Sequence, residues 1–135
     1  QNHCGVFYRA DGAETWKKVS GPDQGVPFAF PVAVDENDGK TAWLVPGKSD
    51  QHRTTIAGSL FVARTSDGGE TWQELRNGLP QEHAYDVVSR HALSSQGDHV
   101  AFGSTTGNLY VSEDRGETWH CAANNLPPVY SVRWG

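Results

Sequence analysis

The stretch VARTSDGGETW at 62–72 reads as a β-hairpin: a short β-prone run, a polar turn, then Thr-Trp. Two more segments repeat it, VFYRADGAETW at 6–16 and LYVSEDRGETW at 109–119. Thr65, Asp67, Gly69, Thr71 and Trp72 fill the pattern S/T-x-D-x-G-x-T-W in the middle copy, and Ser112, Asp114, Gly116, Thr118 and Trp119 fill it in the last. The first copy departs from it: Arg9 replaces the hydroxyl residue and Ala13 the glycine, while Asp11, Thr15 and Trp16 remain.

Each residue type has a physical task. The aspartate carboxylate accepts hydrogen bonds from its own turn, and glycine permits the positive φ that closes it. The tryptophan has a large apolar body to wedge between neighbouring sheets, and its indole N–H is expected to find a carbonyl. The first turn, lacking two of these residues, is expected to be looser. The three aspartates are 56 (67 − 11) and 47 (114 − 67) residues apart, close to the roughly 40 to 50 residues of a four-stranded propeller blade.

These motifs resemble the Asp-box (BNR) family, the propellers of sialidases, BNR-repeat glycosyl hydrolases, sortilin-like receptors and photosystem assembly factors. The resemblance covers nearly the whole chain. The segments QNHCGVF, FAFPVAV and QEHAYDVVSR are also similar to the C-terminal part of bacterial sialidase-like BNR-repeat glycosyl hydrolase proteins.

The fold class expected is all-β, a partial β-propeller of four-stranded antiparallel blades. Residues 1–20 end one blade, 26–77 and 83–124 form two whole ones, and 128–135 begin another. VFYRA and WKKVS are a third and an outer strand. FAFPVAV, TAWLV, SLFVART and TWQEL make the first whole blade, and AYDVVSRHAL, HVAFGS, NLYVSE and TWHCA the second. VYSVRW adds an eleventh strand. No stretch sustains helical spacing. Two blades and a fraction cannot close a ring, so missing blades of the same propeller, or copies of this chain, are expected to cover the open faces.

The 135 residues carry a net charge of −5, with Lys and Arg scattered singly, which offers no footprint for a nucleic-acid partner. No apolar run is long enough to cross a bilayer, so no membrane partner is expected and the chain reads as soluble. The N-terminus lacks a signal-peptide pattern and the chain has no Met, which leaves the compartment open. Cys4 and Cys121 are too few for a disulfide framework and are expected to be small buried hydrophobes. No local spacing among Asn2, His3, Cys4 and His83 enforces metal-ligand geometry; neither metal nor cofactor is expected.

In a four-stranded meander the connections alternate between two ends. The Asp-box turns share one end with DENDGK and SSQGD, and the longer, chemically varied loops occupy the other, where binding is expected. The family resemblance agrees, since sialidases place their active sites opposite the Asp-boxes. At that end lie Asn2 and His3, then Lys48, Asp50, His52 and Arg53 in the loop PGKSDQHRTTIAG, then Glu82, His83 and Tyr85. Arg90 is placed towards the central channel. The candidate ligand-binding residues are Asn2, His3, Arg53, Glu82, His83, Tyr85 and Arg90.

Three functions fit: a non-catalytic module binding a glycan or protein partner, a sialidase-like or other glycoside hydrolase fragment, and an assembly unit without activity of its own. Hydrolysis calls for two flanking carboxyls, or a tyrosine nucleophile as in sialidases. The Arg-Ile-Pro tripeptide of sialidases is absent, and Arg53, Arg90 and Arg133 cannot be assigned to their arginine triad. Asp-boxes stabilise turns and do no chemistry, so the binding module is the expectation and no catalytic residue is assigned.

Overall fold

The computed structural model describes residues Gln1–Gly135. It is all-β, with a two-stranded hairpin followed by two four-stranded antiparallel sheets. The hairpin is β1 (Phe7–Tyr8) with β2 (Lys17–Lys18). The first sheet runs in chain order through β3 (Phe28–Val34), β4 (Ala42–Gly47), β5 (Val62–Thr65) and β6 (Gln73–Leu75). The second is β7 (Leu93–Gln96), β8 (His99–Gly103), β9 (Leu109–Ser112) and β10 (His120–Ala123), also a meander.

Two-sided burial explains why the middle strands are apolar without alternation. Successive side chains of a strand point to opposite faces. Trp43, Val45 and Val62 therefore enter the core between the two sheets, together with Leu75, Val100, Phe102 and Trp119. Their chain neighbours Leu44, Phe61 and Ala63 enter a second core against the hairpin, with Val6, Val19 and Val26. The first sheet is thus held between two others, as a propeller blade is.

Three expectations need correction. The inner strand expected over AYDVVSRHAL begins only at Leu93, because Ala92 N–H donates to Ser89 O (3.0 Å) and turns the chain there. Backbone groups before that turn bond to loops: Ala84 N–H to Gly58 O at 2.9 Å, and Thr105 N–H to Val87 O at 2.8 Å. VYSVRW forms no ladder, so there are ten strands and not eleven. It meets the second sheet by a parallel bridge, His91 with Ser131, and within these residues no strand pairs its other side. Pro22–Gln24 form one 3-10 turn. Cys4 and Cys121 are exposed, since both lie at the periphery of the fold, Cys4 in the turn before β1 and Cys121 on the outer strand β10. No helix is long and apolar enough to cross a membrane.

Candidate functional site

One end of the sheets is consumed by local bonding. Thr65 Oγ1 donates to Asp67 Oδ1 (2.8 Å) and accepts Gly69 N–H (2.8 Å). Asp67 also accepts the Thr71 N–H (3.0 Å) and hydroxyl (2.6 Å). These donors, Thr71 first, hold the Asp67 carboxyl down to about 2. Asp114 takes Thr118 N–H (2.8 Å) and the Ser112 hydroxyl (2.7 Å), which lower its pKa in that order. Asp11 accepts no such bond; its turn closes only through Ala13 N–H to Ala10 O at 3.1 Å.

The box glycines also let the preceding unit approach. A Cβ at Gly69 would lie 2.5 Å from Val19 Cβ, and one at Gly116 2.7 Å from Leu75 Cδ1. Ala13, at the equivalent place in the first copy, is exposed.

The three box tryptophans stand at matching chain positions but in unequal surroundings. Trp72 donates from Nε1 to Val19 O (2.8 Å) on the preceding unit. Trp119 is 2% exposed against Phe102, and its Nε1 finds no partner, contrary to expectation. It is Trp43 whose indole bonds across to the second sheet, Nε1 to Arg115 O at 2.9 Å. Trp16 is 64% exposed because no unit within these residues packs before it.

Arg115 adds a second bolt at this end: its guanidinium reaches Asp35 Oδ2 (2.7 Å) in the β3–β4 turn and Asp98 Oδ1 (3.5 Å) in the β7–β8 turn. The Asn37 N–H and then Arg115 hold Asp35 below the usual carboxylate range.

The opposite end carries a cleft of about 540 Å³. Its lining comes from chain segments far apart in sequence: His3 before β1, Arg53 between β4 and β5, Val87, Ser89 and Arg90 before β7, Thr105 between β8 and β9, and Tyr130 after β10. Phe30 of β3 forms its wall. By the meander order, all these connections lie away from the Asp-box turns.

Arg53 is fixed in place. Its Nε and Nη2 donate to Asp50 O (3.1 Å) and Oδ1 (3.3 Å), and its guanidinium lies 5.1 Å from the Phe30 ring centroid. Asp50 Oδ2 is 2.9 Å from His3 Nδ1. Beside the cleft, buried Asp86 accepts Ser104 Oγ (2.6 Å), Thr106 Oγ1 (2.6 Å) and Asn108 Nδ2 (2.8 Å), all on Oδ1. After burial itself, its charge is the next cause pushing Tyr110 up to about 12.

The structure divides the candidate residues. His3, Arg53 and Arg90 meet in the cleft. Glu82, His83 and Tyr85 line a separate depression of about 430 Å³ with Ala57 and Gly58. There His83 and Ala57 both adopt left-handed backbone, each at φ 53°. Asn2 stands apart: its Oδ1 caps Cys4 N–H (2.8 Å) and its backbone bridges Gly5. Sequence reasoning missed Phe30, Ser89, Thr105 and Tyr130, since each reads locally as an ordinary strand or loop residue. It also missed a usable signal, Gly-Val-Pro at 25–27, Gly-Leu-Pro at 78–80 and Asn-Leu-Pro at 125–127, whose first residues share positive φ of 72°, 86° and 58°.

No protein-family model matches the chain, and no curated protein matches it. Solved structures do. A GH74 xyloglucanase from Xanthomonas campestris superposes with a TM-score of 0.62 at 21% identity, over 85% of this chain and 17% of that one. The Niastella koreensis GH74 enzyme gives 0.66 at 14% identity, over 93% and 19%. The likeness is one of fold, and the chain spans only those minor shares of either structure.

Proposed function

We propose that the chain is a non-catalytic propeller module that binds a glycan through the cleft opposite the Asp-box turns. The observation that carries this reading is the cleft itself, to which chain segments from His3 to Tyr130 bring one or a few side chains each. Its volume falls in the range of small-ligand sites, about 300 to 1,000 Å³. A concave site of that kind suits a sugar ring better than a flat protein surface, which needs about 800 Å² per partner. Phe30 and Tyr130 supply apolar walls, while Ser89, Thr105 and Arg90 supply hydrogen-bond donors.

The module works within a larger propeller, completed by further blades or by copies of itself. Trp16 supports this, being exposed where Trp72 and Trp119 each pack on a preceding unit. A glycoside hydrolase fragment is the second reading, favoured by the fold likeness to two GH74 enzymes. Against it, the carboxylates bordering the cleft are already engaged, Asp50 by His3 and Arg53 and Asp86 by three donors.

Saturation-transfer NMR with a panel of neutral and acidic oligosaccharides tests the first reading. Binding that Tyr130→Ala weakens is expected; no binding, or binding indifferent to that change, removes it. Release of reducing sugar from xyloglucan or other glycosides would install the second reading in its place.

A further inference from the structure

We infer that the open face of the first hairpin docks on the second sheet of another copy of this chain, so that two copies close a ring; this rests on the propeller reading above and not on its glycan. One packing relation is already made twice within the chain. Trp72 and Gly69 seat on Val19 of the hairpin, and Gly116 seats on Leu75 of the first sheet. Val19, Leu75 and Ala123 hold the same place in their units, on the outer strand opposite Val6, Val62 and Leu109. The next unit buries Val19, Val62 and Leu75, whereas Leu109, Val111 and Ala123 stay half-exposed. Applied once more, the relation brings the hairpin of a second copy onto that surface. Its side is ready: Val6, Tyr8 and Val19 pack on the first sheet, while Phe7 and Trp16 line a depression that faces the other way.

The departures from the repeat at the two faces match each other. Gly69 and Gly116 leave no room for a Cβ, which would lie 2.5 Å from Val19 and 2.7 Å from Leu75. Ala13 carries that Cβ, and the residue it would meet is Ala123, which lacks the branched side chain of valine or leucine. The methyl gained on one face is offset by the bulk lost on the other, and volume-conserving exchanges are the ones that packed cores tolerate. The polar rim agrees. Box glutamates reach back across each joint, Glu70 to Lys17 and Glu117 to Arg64. Glu14 has no partner within the chain, and His120, which follows its box tryptophan as Lys17 follows Trp16, offers it a ring N–H.

The size of the assembly follows from the tail after β10. Ser131 bridges His91 in parallel, and Trp134 Nε1 donates to Ser94 O at 3.3 Å. The tail thus flanks β7 as β7 flanks β3, where Ser95 Oγ donates to Val34 O at 3.2 Å. It begins the unit whose outer half the second copy's hairpin supplies, with the place of the second strand left open. Each copy then spans three blade positions, so two copies give six, within the range of about four to eight that closes a propeller. Three copies would overshoot it. A head-to-tail contact that closes makes a ring, and this one closes at the dimer. Each joint offers only half a blade face, so association should be reversible and depend on concentration.

Sedimentation equilibrium over a concentration series tests this. The mass should rise from the 14.7 kDa of one copy to twice that value and stop there. Trp16→Ala should weaken association about tenfold or more. Ala123→Leu should weaken it too, by setting a leucine against the Ala13 methyl, and adding Ala13→Gly to that variant should restore part of the loss, which damage to the fold would not allow. A monomer at every concentration overturns the inference and leaves other blades to complete the propeller. Masses climbing past the dimer overturn closure. Association indifferent to either Trp16→Ala or Ala123→Leu overturns the docking, and indifference to both removes the propeller reading with it.

Discussion

Replacing Gly78 with alanine should separate the two sheets. Gly78 has φ 86°, and a Cβ there would sit 1.8 Å from Trp119 O, 2.8 Å from Trp119 C and 3.2 Å from its N. The obstacle is backbone, so no side chain can swing aside. Left-handed backbone costs an alanine about 1–2 kcal/mol. Moving the Trp119 carbonyl clear also disturbs the bond from Trp119 N–H to Asn77 O (2.9 Å), about 1 kcal/mol, and overpacking adds about 1–3 kcal/mol. The sum, about 3–6 kcal/mol, rivals the whole stability of many domains. Gly12 and Gly97 supply the controls, with φ 74° and 56° and nothing within 4 Å of a Cβ. Gly12→Ala and Gly97→Ala should cost only the backbone part. Urea unfolding followed by tryptophan fluorescence measures all three. If Gly78→Ala shifts the midpoint no more than the controls do, the close approach of the sheets at Trp119 is wrong.

Trp43→Phe should cost about 1–2 kcal/mol in the same assay, because the Arg115 carbonyl keeps Arg64 Nη1 at 3.0 Å, while Trp43→Ala should cost about 3–5. Trp119→Ala should cost about 3–5 kcal/mol, and Trp16→Ala under about 0.5, since only the former is buried; equal losses would contradict the assignment of Trp16 to an open face. Folding depresses the Asp35, Asp67 and Asp114 carboxyls. Their contribution is therefore complete above the unfolded value of 3.8 and is lost as pH falls towards about 2. Urea midpoints taken between about pH 6 and pH 2 should fall over that window, and Asp67→Asn should flatten the fall.

What could be read before folding, and what could not, divides by sequence distance. The hairpins of Asp67 and Asp114 were legible because every bond that makes them lies within four residues, from Thr65 to Gly69 or from Asp67 to Thr71. The apolar runs AWLV and LFVA announced buried strands for the same reason: strand periodicity is local, and a strand packed on both faces loses its alternation. The break before Leu93 was invisible, since AYDVVSRHAL carries β-prone residues throughout, while its backbone at Ala84 and Val87 bonds to the distant loop residues Gly58 and Thr105. Likewise the bond from Trp43 Nε1 to Arg115 O joins residues 72 apart in the chain, and nothing local announces it.

The cleft belongs wholly to the second kind. His3, Arg53, Arg90 and Tyr130 span nearly the whole chain, and nothing local couples them. Chain order alone indicated the end of the blades at which they lie, because a meander alternates its turns. It could not distinguish His3, Arg53 and Arg90, which share a cavity, from Glu82, His83 and Tyr85, which line another. That distinction arises when sheets pack: short-range hydrogen bonding shapes each blade, but only the contact of one blade with the next sets which loops face a common space.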